Sequence, residues 1–293
     1  MSKTLIYQNK APALLPMYAK AIIPKGATAG KKRDGIHIPN LTITLTGVTT
    51  DSQRLKDYRK VCGFPASARL PITWPHIEAF PLHIRLMSDR SFPLPLLGMV
   101  HLRNSITQHR PINEGECLDF ECSLENQVDS DRGIEFDVVT RASTGGREVW
   151  QETSTILYRQ PSSSSSGQKG PKAPPEPFPH ETGIVVGEDT GRRYGKASGD
   201  LNPIHLYALS AKAFGFPRAI IHGMWSKARA IALLAEEADL NSGPVRVDCT
   251  FKTPLFLPGT ATLSWDKQDR VWPFKLLNAK GTAPHLEGAI HWL

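Results

Sequence analysis

From Gly199 to His205 the chain reads Gly-Asp-Leu-Asn-Pro-Ile-His, which sets a carboxylate (Asp200), an amide (Asn202) and an imidazole (His205) within six residues. A carboxylate and an imidazole that converge on one water molecule form an acid/base pair. Pro203 biases Asn202 away from the helical region. Gly199 permits backbone conformations that other residues resist. The polar side chains are therefore predicted on a rigid irregular segment rather than on one helix face. Asn202 is read as orienting the loop or Asp200 rather than reacting. Taken alone, Asp-x-Asn-Pro is also an ordinary turn or cap sequence, and a single histidine is more often a packed or surface residue than a catalyst.

A second group follows at Ala219-Ile220-Ile221-His222-Gly223-Met224. Beyond it, Trp225 to Glu237 places Ala228, Ile231, Leu234 and Ala235 at helical spacing. That predicts a helix with Gly223 near its start. A helix start offers unpaired N–H groups and the positive end of the dipole. A backbone N–H at Gly223 would suit a developing oxyanion. His222-Gly223 also fits a helix start with no chemistry.

The whole string from Tyr194 to Ser226 resembles the hydratase 2, or MaoC-like, family of (R)-specific enoyl-thioester hydratases and dehydratases. Tyr194, the run Ser198 to His205, Ala211, Gly215-Phe216 and Ile221 to Met224 carry the resemblance. It implies a hot-dog fold, a long helix wrapped by an antiparallel sheet. It implies Asp200 and His205 as catalytic residues, the Gly223 N–H as the oxyanion donor, and Gly199, Asn202, His222 and Met224 in supporting or substrate-binding positions. Family members often carry a small polar residue further along the helix; here Ser226 sits early and position 231 is Ile.

The elements that would position these residues repeat along the chain. Tyr58-Arg59-Lys60-Val61-Cys62-Gly63-Phe64 aligns with Tyr194 to Asp200, sharing Tyr, Lys and Gly. On that alignment Phe64 replaces Asp200, Ala66 replaces Asn202 and Arg69 replaces His205. Ile106 to Gly115 likewise aligns with Thr250 to Gly259, a strand ending at a proline and then a glycine turn. Two pairs in the same order indicate two copies of one fold. The expected class is α+β, a double hot-dog with two central helices, each wrapped by an antiparallel sheet, and the sheets side by side. The expected domains are 1–160, a degenerate hot-dog; 161–179, a Ser/Pro-rich linker; and 180–293, the catalytic hot-dog.

In the first copy, Leu5 to Tyr18 is expected to pack as a strand or helix, Lys25 to Gly35 to form a loop, Leu41 to Val48 a strand, and Asp51 to Val61 a short capped helix. Ile72 to Ser88 is its central helix, with Pro81 giving a kink or a late start. Leu97–Ile106, Cys117–Leu124, Ile134–Arg141 and Glu148–Tyr158 read as strands. In the second copy, strands are expected at Thr182–Glu188, Pro244–Pro254, Gly259–Lys267, Val271–Ala279 and Pro284–Trp292. The linker's serine and glycine make it flexible and its prolines extend it, enough to cross the face of a domain.

Composition bounds the function. The 293 residues are 40 % hydrophobic and 22 % charged, ordinary for a chain with a buried core. No run is apolar enough to span a bilayer. Met1-Ser2-Lys3-Thr4 lacks a signal-peptide core and His291-Trp292-Leu293 is no sorting tail, so a cytoplasmic protein is expected. Cys62, Cys117, Cys122 and Cys249 show no metal-type spacing and are read as reduced thiols, with Cys117 and Cys122 on opposite faces of one strand. The net charge of +7 is scattered, without the basic and aromatic stripe of a nucleic-acid binder. Arg192, Arg193, Lys196, Lys212 and Arg218 are available to meet phosphates, or are simply solvated.

The expected reaction is reversible hydration of a trans-2-enoyl thioester, carried by coenzyme A or an acyl carrier protein, with no metal or redox cofactor. Its rivals are a hot-dog thioesterase and a non-enzymatic acyl-thioester-binding subunit. Two copies in one chain allow a monomeric pseudo-dimer as well as a homodimer.

Overall fold

The structure, a computed structural model, describes residues 3–21, 35–96, 98–160 and 175–293. The first half runs β1 (Lys3–Gln8), α1 (Leu14–Ala21), β2 (Leu41–Val48), α2 (Ser52–Cys62), α3 (Trp74–Met87), β3 (Met99–Gln108), β4 (Leu118–Ser130), β5 (Gly133–Thr144) and β6 (Arg147–Arg159). The second runs β7 (His180–Val186), α4 (Thr190–Ser198), a 3-10 turn (Pro203–His205), α5 (Ala208–Lys212), α6 (Gly223–Leu234), β8 (Val245–Phe251), β9 (Gly259–Trp265), β10 (Val271–Asn278) and β11 (Pro284–Trp292). Leu5 to Tyr18 thus contains both a strand and part of a helix. The loop expected at Lys25–Gly35 and most of the linker expected at 161–179 lie outside the described residues.

The strands form one sheet of eleven in the order β1-β2-β4-β5-β6-β3-β8-β11-β10-β9-β7. The halves join where β3 and β8 pair antiparallel, from Arg103 opposite Thr250 to Gln108 opposite Val245. Every described pairing is antiparallel except β1 with β2, which is parallel. Along β2, Leu41, Ile43 and Leu45 are buried while the threonines between them are only partly covered, the period of a sheet with one covered face. The two central helices, α3 and α6, lie on that face. In α6 the alanines at 228, 230 and 232 are fully buried; their small side chains let the helix lie close to the strands. This is the expected double hot-dog.

Pro81 lies inside α3, which starts at Trp74 and continues through it. Proline removes the N–H that would bond the carbonyl of Ile77. The guanidinium of Arg54 on α2 supplies a substitute, Nη2 donating to Ile77 O at 3.0 Å. The expected kink or late start at Pro81 is not what α3 shows, because this replacement donor arrives from another helix.

The repeat holds at its anchor and shifts beyond it. Gly63 ends α2 and Gly199 ends α4, both left-handed, at φ 84° and 83°, so Phe64 stands where Asp200 does. Arg69, however, is the counterpart of Ile220 and not of His205. Arg69 bridges Asn113 as Ile220 bridges Phe256. The turn carrying His205, and α5 after it, have no counterpart before Arg69. The second repeat pair is displaced by one residue: Leu70 N–H donates to Ile112 O as Ile221 N–H does to Leu255 O. Ile112 therefore matches Leu255 rather than Phe256. Cys117 is exposed just ahead of β4, while Cys122 is buried within it.

Candidate active site

The second half brings Asp200, Asn202, His205, His222 and Gly223 to one place through three local devices. Gly199 takes a left-handed conformation that turns the chain off α4, and a Cβ there would meet Leu14 Cδ1 at 2.5 Å. The left-handed conformation favours glycine, and a Cβ would also displace the Leu14 side chain. Asn202 caps the following 3-10 turn, its side chain accepting from Ile204 N–H at 3.4 Å. His222 occupies the cap position of α6, so Gly223 is the first residue of that helix. A Cβ on Gly223 would lie 3.0 Å from Phe251 Cδ1. Met224 is buried in the core.

The electrostatics assign a state to each group. Asp200 Oδ1 accepts from the Tyr18 hydroxyl and from Asn202 N–H, both at 3.1 Å. Burial works to raise the Asp200 pKa. The adjacent His222 and His205, the Asn202 N–H and Tyr18 outweigh it, and the carboxyl sits below its ordinary value. His205 Nδ1 lies 2.8 Å from Ile220 O. A carbonyl only accepts, so Nδ1 carries the proton and Nε2 is left as an acceptor. Burial, the largest effect, lowers the His205 pKa and keeps the ring neutral.

His222 stacks on His205, ring centroids 3.8 Å apart, and its Nε2 donates to the Asp200 carbonyl oxygen at 3.0 Å. Burial, and then the neighbouring His205 imidazole, push its pKa down to about 3. Ligand-type atoms of Asp200, His205 and His222 all lie within 4.8 Å of one another. The proton-bearing Nε2 of His222 is already committed to a carbonyl and its Nδ1 is buried without a hydrogen-bond partner, so Asp200 Oδ2 and His205 Nε2 are the acceptors offered by the other two groups. One water molecule matches that pair.

Of the residues read from sequence, Asp200, His205, His222 and Gly223 assemble directly, with Gly199 and Asn202 shaping the turn. The basic residues do not converge. Arg192 Nη1 donates to Leu206 O at 3.1 Å and lies over the Tyr207 ring, and Arg193 pairs with Asp189. Arg218 lies over Phe256, and Lys196 and Lys212 are exposed.

Three contributions were not legible in the motif. Tyr18 reaches Asp200 from α1, a pair 182 residues apart in sequence. Arg54 caps the end of α4, donating to Ala197 O at 2.8 Å and Ser198 O at 3.0 Å. A buried network behind α6 crosses the seam. Lys227 Nζ donates to Asn104 Oδ1 and to Val247 O at 2.9 Å, and Asn104 Nδ2 donates to Glu152 Oε1 at 2.5 Å. His76 Nδ1 meets the same carboxylate at 2.9 Å. Burial works to raise Glu152, but His76 and His83 hold it down to about 2. Lys227 sits one turn beyond Gly223, so this network ties the start of α6 to the first half.

The fold places the chain among the double hot-dog proteins. The MaoC like domain matches residues 169–282. Over 257 residues the chain is 32 % identical to 3-hydroxyacyl-thioester dehydratase X of Mycobacterium tuberculosis, covering 87 % of this chain and 91 % of that protein. A crystal structure of HtdX from that organism superimposes with TM-score 0.75 at 32 % identity, over 85 % of this chain and 99 % of that one. A MaoC-like dehydratase of Phytophthora capsici shares the fold at TM-score 0.72 and 19 % identity, over 90 % of this chain and 98 % of that one. The chain belongs to the MaoC-like dehydratase family and is a hydro-lyase. Among its described residues no helix is long and apolar enough to cross a membrane.

Proposed function

We propose that the chain interconverts trans-2-enoyl-CoA and (R)-3-hydroxyacyl-CoA by syn addition or removal of water, with 180–293 as the catalytic unit and 1–160 as the degenerate copy that completes its walls. The observation that carries this reading is the pair of acceptors, ionised Asp200 and neutral His205 Nε2, beside the start of α6. A water donating to both has its oxygen turned outward as a nucleophile. Asp200 takes one proton as the oxygen bonds C3. The π-electrons move onto the thioester oxygen, and the Gly223 N–H receives that charge. The Asp200/His205/water cluster then returns a proton to C2, so that H and OH have been added and the site is restored. Dehydration is the reverse. The relative's 3-hydroxyacyl-thioester dehydratase activity supports this reaction class.

A carrier-protein thioester is a second reading favoured by one feature. Tyr207, Leu209 and Phe214 are exposed beside the His205 turn. No Asp or Glu lies between Asp200 and Glu236, while Lys212 and Arg218 flank the patch. An apolar surface with a basic rim suits an acidic carrier. The test follows loss of enoyl-thioester absorbance with crotonyl-, octenoyl- and longer trans-2-enoyl-CoA, with C3 configuration assigned by a stereospecific dehydrogenase. Loss of absorbance giving (R) product supports the proposal. Release of free thiol instead would establish a thioesterase. Turnover only of carrier-bound esters would establish the second reading, and binding without turnover would establish a non-enzymatic subunit.

A further inference from the structure

The N-terminal helix α1 lies against the site although the motif is far from it in sequence. Leu14 packs where a side chain on Gly199 would otherwise project. One turn later, the Tyr18 hydroxyl donates to Asp200 Oδ1 at 3.1 Å. The direction of that hydrogen bond is fixed twice. The Leu201 backbone N–H favours the Tyr18 oxygen as an acceptor, so the hydroxyl proton points away from it. Burial, and then the Asp200 charge, push the Tyr18 pKa up, so the proton stays on tyrosine.

We infer that Tyr18 is a positioning residue for the hydration step, holding Asp200 as an ionised base with Oδ2 turned to the water. The inference rests on the acid/base reading of Asp200. Oδ1 is occupied by Tyr18 and Asn202 N–H. Two donors on one oxygen fix the carboxylate plane and leave Oδ2 for the reacting water. A hydrogen bond to the charged form also keeps the base deprotonated. Phenylalanine would preserve the packing of α1 and remove only the donor. Asn202 N–H alone would leave the carboxylate freer to rotate and easier to protonate.

The experiment compares wild type, Tyr18→Phe, Asp200→Asn and the double variant. Tyr18→Phe is expected to fold normally and to lower kcat roughly 10- to 100-fold, the effect of one charge-assisted hydrogen bond, with KM within about twofold. The acidic limb of its kcat–pH profile should move up by about one unit. In the Asp200→Asn background the same change should cost nothing further, because residues acting as a unit are non-additive. Carboxyl NMR titration should show the Asp200 pKa rising in Tyr18→Phe, a readout independent of turnover. An unmoved Asp200 titration overturns the inference. So does a loss that multiplies with Asp200→Asn. A raised Asp200 pKa in a protein without hydratase activity would retain the Tyr18 contact and reject the proposed reaction.

Discussion

Tyr58 and Tyr194 face each other across the seam, ring centroids 6.0 Å apart. Each stands five residues before the left-handed glycine that ends its helix, Gly63 or Gly199. The Tyr58 hydroxyl meets Thr73 Oγ1, at the start of α3, at 2.7 Å; the Tyr194 ring packs on His222, at the start of α6. The two halves also staple one another's helix ends. Arg54 of the first half holds the last carbonyls of α4, and Trp225 of the second donates to Val61 O, near the end of α2, at 2.9 Å. In the first half Phe64 stands where Asp200 does, and the packing around the helix ends is kept. The turn that carries Asp200 rests on that packing.

Arg54→Met tests that dependence. The guanidinium joins three carbonyls and the buried carboxylate of Glu78, whose pKa is raised by burial and lowered by Arg54. Its side chain is 28 % exposed, so the loss should fall below that of a fully buried pair, at about 2 kcal/mol. Urea unfolding should show that loss, and turnover should fall with it because Ser198 O leads into Gly199 and Asp200. Arg54→Lys should recover little, since one ammonium cannot span the fork. Full activity in Arg54→Met would show that the α4 terminus holds its shape unaided.

The legible part of the fold was the part with local causes. The alternation along β2, the helical spacing of Ala228, Ile231 and Leu234, and the glycine-capped repeat of Tyr58 and Tyr194 are all set by neighbours in sequence. The site was legible where one segment carried it, from Gly199 to His205. Tyr18 and Arg54 were not, because a tyrosine or arginine in a helix has no local mark of a distant partner. The alignment of Arg69 with His205 failed for a different reason. Only one copy contains the inserted turn and α5, and a gapless match cannot register an insertion.

Asp200→Asn is the direct test of the base. Asparagine keeps the shape and can still accept from Tyr18 and Asn202 N–H, so the thermal midpoint should change little. Turnover should fall by at least roughly 100-fold, the lower range for loss of a general acid–base group. Decay of enoyl-CoA absorbance measures it. Near-native turnover would remove Asp200 from the mechanism.

Gly223→Ala probes the start of α6. The added Cβ would sit 3.0 Å from Phe251 Cδ1 and 3.1 Å from Cε1, tighter than ordinary contact. Either the ring or the helix start must move. If the N–H serves the oxyanion, kcat should drop by roughly 10-fold or more, less than outright loss of an oxyanion donor. Phe251→Leu in the same protein should restore part of it by making room. Loss of KM alone, with kcat intact, would assign Gly223 to substrate fit and not to the oxyanion.

Histidine burial sets a pH dependence with a definite sign. Burial is the largest cause lowering His83 to about 4, His101 to about 3 and His222 to about 3. Unfolded, each binds a proton below about 6.5. The unfolded chain therefore holds more protons in this window, and stability falls as pH falls. Each group can contribute up to about 1.4 kcal/mol per pH unit, and His205 and His285, also lowered by burial, add with the same sign. Glu116 and Glu152, held at about 2, add to the loss only below about 4.5, where unfolded carboxylates protonate. Between pH 6 and 5 the histidines set the decline, while Glu78, raised by burial, works against it by taking up a proton in the folded chain. Urea unfolding at pH 7, 6 and 5 should show the decline. His101→Leu should reduce its slope: His101 packs on Phe251 and its Nε2 is buried without a hydrogen-bond partner. A stability constant from pH 7 to 5 would mean that these rings protonate within the folded protein.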